Sequence, residues 1–417
     1  MLVRTRPLRY VVSLICLSAC GEADRPSATA PAAPSPPPSP TITTPVNVPV
    51  SDWDAGMIDP ASLPPRSTLK PLPGGASGNP VVTSNNPEVF RGNGTLFGTH
   101  SASPSRGGGR LALSGPFGFY VHHLNRSDRT KTLSLVVKND GNADAVVTFF
   151  GSGYTQTETG GVGLGTSPDA RVSAEWIQGL HAVRLDGITV RPGEVRILWS
   201  RRVAVGAEID GRFGAQSSAP IAAAVVVTDG ETQAEALAAL NADADGDIAR
   251  SGTPPPPFGR EAGVYSHDSW VGTIHAAVPA GPRRVGLWVN TATGGGASQV
   301  QAFPALLSYH DSAREAVGMY GNVYDLTIAL SHDGADGSTR RVRVLFGSLT
   351  TVNISRYWDG YGLVDGRLTV LRHVPGSPVT TLAEVELTRA SPTRVVRFRA
   401  MVPGLTSIPQ ALWLESR

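Results

Sequence analysis

Cysteine is almost missing from this chain of 417 residues: Cys16 and Cys20 are the only two. Both lie within the first twenty positions, so the fold must stand on its core rather than on disulfides. Lysine is scarce as well, confined to Lys70, Lys131 and Lys138, and the other basic residues are arginine. Lys+Arg 36 against Asp+Glu 34 leaves a net charge of +2, part of it in Arg4, Arg6 and Arg9. That balance excludes a global basic field, and no nucleic-acid partner is expected. The apolar run at residues 10–19 is too short to span a bilayer as a mature helix. Neither a GxSxG elbow nor an HExxH helix is present, so no catalytic residue is assigned.

What the first twenty residues do contain is a leader. Arg4, Arg6 and Arg9 precede the short apolar run, the order of a secretory signal. Its end, Leu17-Ser18-Ala19-Cys20, resembles the bacterial lipobox. That resemblance implies a signal peptide over 1–19, cleavage before Cys20 and a diacylglycerol thioether on the Cys20 thiol. Gly21 after the cysteine favours sorting to the outer membrane. Next comes RPSATAPAAPSPPPSPTITTPVNVPV, which has too little apolar area to fold and reads as a polyproline II tether of about 3.1 Å per residue. The Pro- and Gly-rich character continues to residue 78, so 20–78 is taken as lipidated N-terminus and tether, its later part wrapping along the first domain.

Beyond the tether, short runs of Val, Leu, Thr and aromatics recur between Gly, Asp, Asn and Pro. This predicts an all-β chain. Several segments carry hairpin signals, as in LVVKNDGNADAVVTF, where an Asn/Asp/Gly cluster separates two β-branched runs. Helical period shows in TQAEALAALNAD, where Thr232 and Glu235 have capping-box spacing and Ala234, Leu237 and Ala238 fall on one face. The reading is two antiparallel β-sandwich domains, 79–228 and 259–417, joined by a helical connector with an acidic loop at 229–258. One long mixed-β domain, or pairing across the boundary, is the alternative.

The stretches VTSNNPEVFRGNGTLFGTH, FGFYVHHLNRSDRTKTLSLVVKNDGNADAVVTF and YHDSAREAVGMYGNVYDLTIAL resemble the bacterial family of domain of unknown function 3370. The resemblance runs from about residue 79 past 330. It implies export and brings no activity with it.

The candidates for chemistry follow from residue type and spacing. His122 and His123 are adjacent in a strand, point to opposite faces and do not chelate one metal together. The same geometry weakens His267-Asp268, His310-Asp311 and His332-Asp333 as acid-base dyads, while Ser308 and His310 share a face. Asn241, Asp243, Asp245 and Asp247 in NADADGDIARSG match the early ligand positions of an EF-hand loop after a helix. Position 12 is Gly252, so the bidentate glutamate is missing. A solvated acidic linker is the favoured reading, with weak Ca2+ binding as the alternative. Tyr357, Trp358, Asp359 and Tyr361 crowd a loop where exposed rings would stack on a sugar and the carboxylate would take its hydroxyls; a plug at the end of a sandwich is the other reading. The glycine runs 107–109 and 294–296 lack the strand-to-helix setting of a phosphate loop.

The function expected from sequence is therefore a non-enzymatic, lipid-anchored envelope protein without a required cofactor, structural or ligand-binding. Its expected partners are the membrane and an envelope glycan or another envelope protein; the alternative is a hydrolase of envelope polymer. The anchor is directly testable. Wild-type chain should incorporate radioactive palmitate and sediment with membranes, and Cys20→Ser should do neither. Label on the Cys20→Ser chain would refute the lipobox.

Overall fold

Thirteen consecutive residues, Leu113–Asn125, and later twenty-one, Glu208–Thr228, run as single strands, and the architecture hangs on the second of them. A computed structural model describes residues 45–61, 69–85, 89–100, 110–159, 166–241, 261–291, 301–309, 312–332, 337–349, 358–404 and 406–417. These residues build an all-β fold of layered sheets with short helices.

The first half of Glu208–Thr228 lies between Ala145–Thr155 and Leu113–Asn125. Its second half lies between Lys131–Lys138 and Gly94–Gly98. Between the two halves the register breaks, from Ser217 to Ile221, around Pro220, which has no N–H to give to a ladder. The strand thus turns a corner and serves two layers. Phe119, Phe149 and Phe213 from one layer meet Leu133, Leu135, Val225 and Trp199 from the other. Phe149 and Phe213 stack at 5.1 Å, and each such ring contributes on the order of 2–3 kcal/mol by leaving water.

A second pair of layers encloses the other large core. One contains Ser269–Val278, Val323–His332, Thr393–Met401, Trp358–Val364 and Arg367–His373; the other contains Arg283–Val289, Gln410–Ser416, Arg340–Ser348 and Val379–Leu387. Ile274, Leu326, Ile328 and Phe398 face Leu287, Val344, Phe346 and Leu412 across it. Alternate residues of these strands are buried, as the period of two requires.

Strand pairing crosses between the halves of the sequence. Glu261–Tyr265 joins the first sheet beside Val81–Asn85, and Phe303–Ser308 follows it. In return, Val46–Val48, Asp54–Ala55, Leu69–Lys70 and Gly75–Ser77 add to the second pair of layers, with Val48, Trp53 and Leu72 in its core. The stretch expected to wrap along the first domain lies instead on strands of the second half. The described residues form one compact unit.

The hairpin read in LVVKNDGNADAVVTF does not form. Lys131–Lys138 and Ala145–Thr155 pair with opposite halves of the same long strand, and the Asn139 side chain ties the corner by accepting from the Gly141 N–H at 2.9 Å and donating to Ala143 O at 2.7 Å and Val190 O at 2.8 Å. Trp358–Val364 and Arg367–His373 do form a hairpin, through Asp365 and Gly366 at φ 49° and 80°, the mirror-image turn that matches strand twist.

Two helices of eight residues or more lie among the described residues. Gln233–Asn241 has the expected capping box, with Thr232 Oγ1 accepting from the Glu235 N–H at 3.2 Å and the Thr232 N–H donating to Glu235 Oε2 at 3.1 Å. It buries Ala236, Ala239 and Leu240, not the Ala234, Leu237, Ala238 face, because the former packs on Val136, Val195 and Val226. Pro168–Gln178 was not anticipated, although Ser167 caps it, Pro168 opens it and Gly179 ends it at φ 69°.

Glu261 sits on the crossing strand, fully enclosed. Burial pushes its carboxyl from an ordinary 4.5 up to about 7, against the opposing hydrogen bond from the Gly318 N–H. A raised folded-state pKa means stability is complete below about 4.5 and is lost as pH rises through 7, with a slope approaching about 1.4 kcal/mol per pH unit. Urea unfolding from pH 4.5 to 8 should show wild type losing stability relative to Glu261→Gln over that window. A constant difference between the two would refute the assignment.

Candidate functional site

The polar groups of this fold converge on the outer face of the first sheet, where the helix Pro168–Gln178 and strands of the second half cover it. On Glu208–Thr228 the residues Glu208, Asp210 and Arg212 alternate with Ile209 and Phe213, which enter the core. Opposite them on Leu113–Asn125, His122 pairs with Asp210 and Tyr120 with Arg212. Period two therefore places two carboxylates, an imidazole, a phenol and a guanidinium on one patch of sheet.

Asp169 descends onto that patch from the first turn of the helix, where the backbone N–H groups favour a negative charge. His122 Nδ1 lies 3.1 Å from Asp169 Oδ1 and 3.2 Å from Asp210 Oδ2, and the Tyr120 hydroxyl donates to Asp210 Oδ2 at 3.0 Å. All are sealed: His122 is 1% exposed, Asp169 and Asp210 0%, and Glu208 8%. Burial pushes the Glu208 and Asp210 carboxyls up, to about 9 and about 7, with the Asp169 charge adding to both. Burial acts on Asp169 in the same sense, but the adjacent His122 charge outweighs it and holds that carboxyl down near 2. His122, Asp169 and Glu208 each bring a metal-ligand type of atom within 4.8 Å of the others.

Arg212 belongs to a neighbouring arrangement. Its guanidinium donates to Asp268 Oδ2 at 3.0 Å, to Gly321 O at 2.9 Å, to Phe213 O at 2.8 Å and to Phe119 O at 3.3 Å, with the Trp176 ring 4.4 Å from its centre. Gly321, at φ 73°, leaves room for Tyr120, since a Cβ there would stand 2.3 Å from the Tyr120 ring.

Of the residues singled out from sequence, His122 enters this cluster. His123 points to the other face and meets Ser84 Oγ at 3.0 Å, as strand geometry requires. His267 contacts Ser266 Oγ at 2.7 Å while its neighbour Asp268 serves Arg212, so the two make no dyad. His332 contacts the Ser338 carbonyl. His310, Asp311 and Asp333 lie outside the described residues, as do Cys20, Asp243, Asp245, Asp247 and Tyr357. Asn241 ends its helix, exposed. The stacking platform read around Trp358 is corrected: Trp358 is 0% exposed, edge-on to Phe346 at 5.0 Å, and Asp359 is 1% exposed, accepting from Ser167 Oγ at 3.3 Å. Tyr361 is half-buried, packed near Tyr154 and Val172. Trp358 and Tyr361 lie on a paired strand, not a loop.

Sequence reading missed Asp169, Glu208 and Asp210. The alternation in EIDGRFG, acid and arginine at every second place of an apolar strand, was the available signal.

Open surface is found elsewhere. A recess of about 280 Å3 is lined by Phe150, Trp176, Ile177, Gln178, Gly179, His181 and Arg399. Phe150 and Trp176 are nearly parallel, at 7° and 6.2 Å, with His181 4.8 Å from Phe150. Phe150 lies over Gly214, where a Cβ would come within 2.4 Å of the ring. A larger groove of about 650 Å3 has no ring, and its charges include the exposed pair Arg341 and Glu386 at 3.4 Å.

No helix among the described residues is long and apolar enough to cross a membrane. No curated protein matches the chain. Among solved structures, the PBSX exported protein XepA aligns at 11% identity over 74% of this chain and 84% of its own, with a TM-score of 0.15. Dimeric latent PorU from Porphyromonas gingivalis aligns at 8% identity over 87% of this chain and 23% of its own, with a TM-score of 0.14. Neither score carries an argument about fold or function. Residues 67–351 match the family described as protein of unknown function (DUF3370), and the chain belongs to that family.

Proposed function

We propose that this chain is a non-catalytic, lipid-anchored module of the cell envelope that holds a sugar-sized group of an envelope glycan in the Phe150, Trp176, His181 and Arg399 recess. The observation that carries this reading is the pair of parallel rings on a rigid floor, open to solvent. A pyranose offers polarised C–H groups to a π face, and the exposed Arg399 guanidinium offers planar donors to hydroxyls or a carboxylate. The floor is held in place from behind, with Phe150 against Gly214 and Trp176 against Arg212. Preorganised rings lose little freedom on binding.

The non-catalytic part rests on the sealing of His122, Asp169, Glu208 and Asp210. A hydrolase of a polymer needs its acid and base in a cleft that the polymer reaches. The lipid anchor rests on the lipobox, and the outer membrane on Gly21.

Titration of the full chain carrying Cys20→Ser with peptidoglycan fragments and envelope glycan should change its tryptophan fluorescence. Phe150→Ala and Arg399→Ala should each weaken that binding at least about tenfold, about 1.4 kcal/mol, with little change in melting temperature for the exposed Arg399→Ala. Unchanged binding in both variants would remove the recess from the proposal. Release of soluble product by wild type would replace the module with the hydrolase.

A further inference from the structure

We propose that His122, Asp169 and Glu208, with Asp210 completing the set, bind one divalent transition-metal cation sealed between the first sheet and the Pro168–Gln178 helix. This is independent of the glycan recess. Ligands sharing an ion at about 2.0–2.2 Å stand about 3–3.5 Å from one another. His122 Nδ1 lies 3.1 Å from Asp169 Oδ1 and 3.2 Å from Asp210 Oδ2, and one ligand atom from each of His122, Asp169 and Glu208 falls within 4.8 Å of the others.

Distance alone would fit a network of shared protons. The oxygens point to an ion. Among the described residues no N–H or O–H meets either carboxylate oxygen of Asp169 with hydrogen-bond geometry, although the residue is 0% exposed; its neighbours are His122 at 3.1 Å and the carboxyls of Glu208 and Asp210. Glu208 Oε1 and Asp210 Oδ1 are without such a donor as well. Buried carboxylate oxygens are ordinarily satisfied, and an unpaired one is costly. Four in one cluster are accounted for together by a cation.

Charge leads to the same place. The other cation on this face of the sheet, Arg212, is committed to Asp268 and three carbonyls. Among the described residues, the ion pairs of Asp169 and Asp210 run to His122. A divalent ion supplies the positive charge that these neighbours do not.

The donor set selects the ion. Calcium takes six to eight oxygens. One imidazole nitrogen with a few carboxylates suits zinc or manganese better. Access defines its role: a Cβ on Gly404 would stand 2.4 Å from both Asp169 Oδ1 and His122 Nδ1, so the backbone of the second half closes the site. A closed coordination shell is the mark of a structural ion. The Tyr120 hydroxyl on Asp210 orients a ligand from behind. The ion would fasten helix to sheet beneath the strands of the second half.

Elemental analysis of the purified full chain should find about one equivalent of zinc or manganese. Dialysis against a chelator should remove it and lower the melting temperature, and Zn2+ or Mn2+, but not Ca2+, should restore it. At a free ion concentration 100-fold above Kd the folding equilibrium shifts about 100-fold. Asp169→Asn and Glu208→Gln should lose the ion while keeping the β circular dichroism spectrum, and Asp243→Ala/Asp245→Ala should keep it. The idea fails if wild type contains no metal and its melting temperature ignores added Zn2+ and Mn2+. It fails equally if the Asp169→Asn/Glu208→Gln chain retains the ion, or if calcium is the ion retained. The wild-type measurements decide by themselves should a variant not fold.

Discussion

A guanidinium buried away from water must be met on every side, and Arg212 is met by both halves of the chain. Its acceptors on one side are the carbonyls of Phe119 and Phe213 in the first sheet; on the other they are Asp268 and Gly321, which belong to the second half. Burial disfavours its charge, and Asp268 offsets part of that. Removing either partner would leave an uncompensated charge in the interior, an error costing about 3–5 kcal/mol. The register of the two strands beneath it, the seat of Trp176 above it and the position of Gly321 are therefore set together. The acidic cluster one pair further along the strands inherits that alignment.

The fold class was legible in the sequence because β-branched runs and turn residues are local signals. What the turns connect was not. Asn139 makes the same side-chain turn whether the following strand doubles back beside its predecessor or crosses to the facing layer, and here it crosses. Val323–His332 and Arg340–Ser348, and again Val379–Leu387 and Thr393–Met401, likewise divide between facing sheets. Only distant strands decide between these outcomes. At Asp365-Gly366 the turn itself fixes the pairing, because two consecutive residues with positive φ suit a tight hairpin, though that turn was not singled out from the sequence.

The candidate site was half legible for the same reason. Adjacent histidines in a strand must part company, and His122 and His123 do. What His122 meets lies on a helix and on a strand remote in sequence, so no spacing rule brings Asp169 or Asp210 to it. Trp358 failed in the opposite direction. Its glycines and aspartate read as a loop, yet pairing with Arg367–His373 on one side and packing against Phe346 put the ring in the core.

The strand Gln410–Ser416 lies between Arg283–Val289 and Arg340–Ser348, in the interior of its sheet rather than at an edge. Within it, Glu415 is fully buried, with Arg343 at 2.6 Å and the Ile58 N–H at 2.7 Å. Residues near 58, 285, 343 and 415 must meet before this layer exists. A chain emerging from its N-terminus, whether from a ribosome or from a translocation pore, would present its early strands with no central partner until the segment through Ser416 has followed. The topology thus defers assembly of this layer until the segment Gln410–Ser416 has emerged, a vectorial constraint on that layer which the first sheet, built without this strand, does not share.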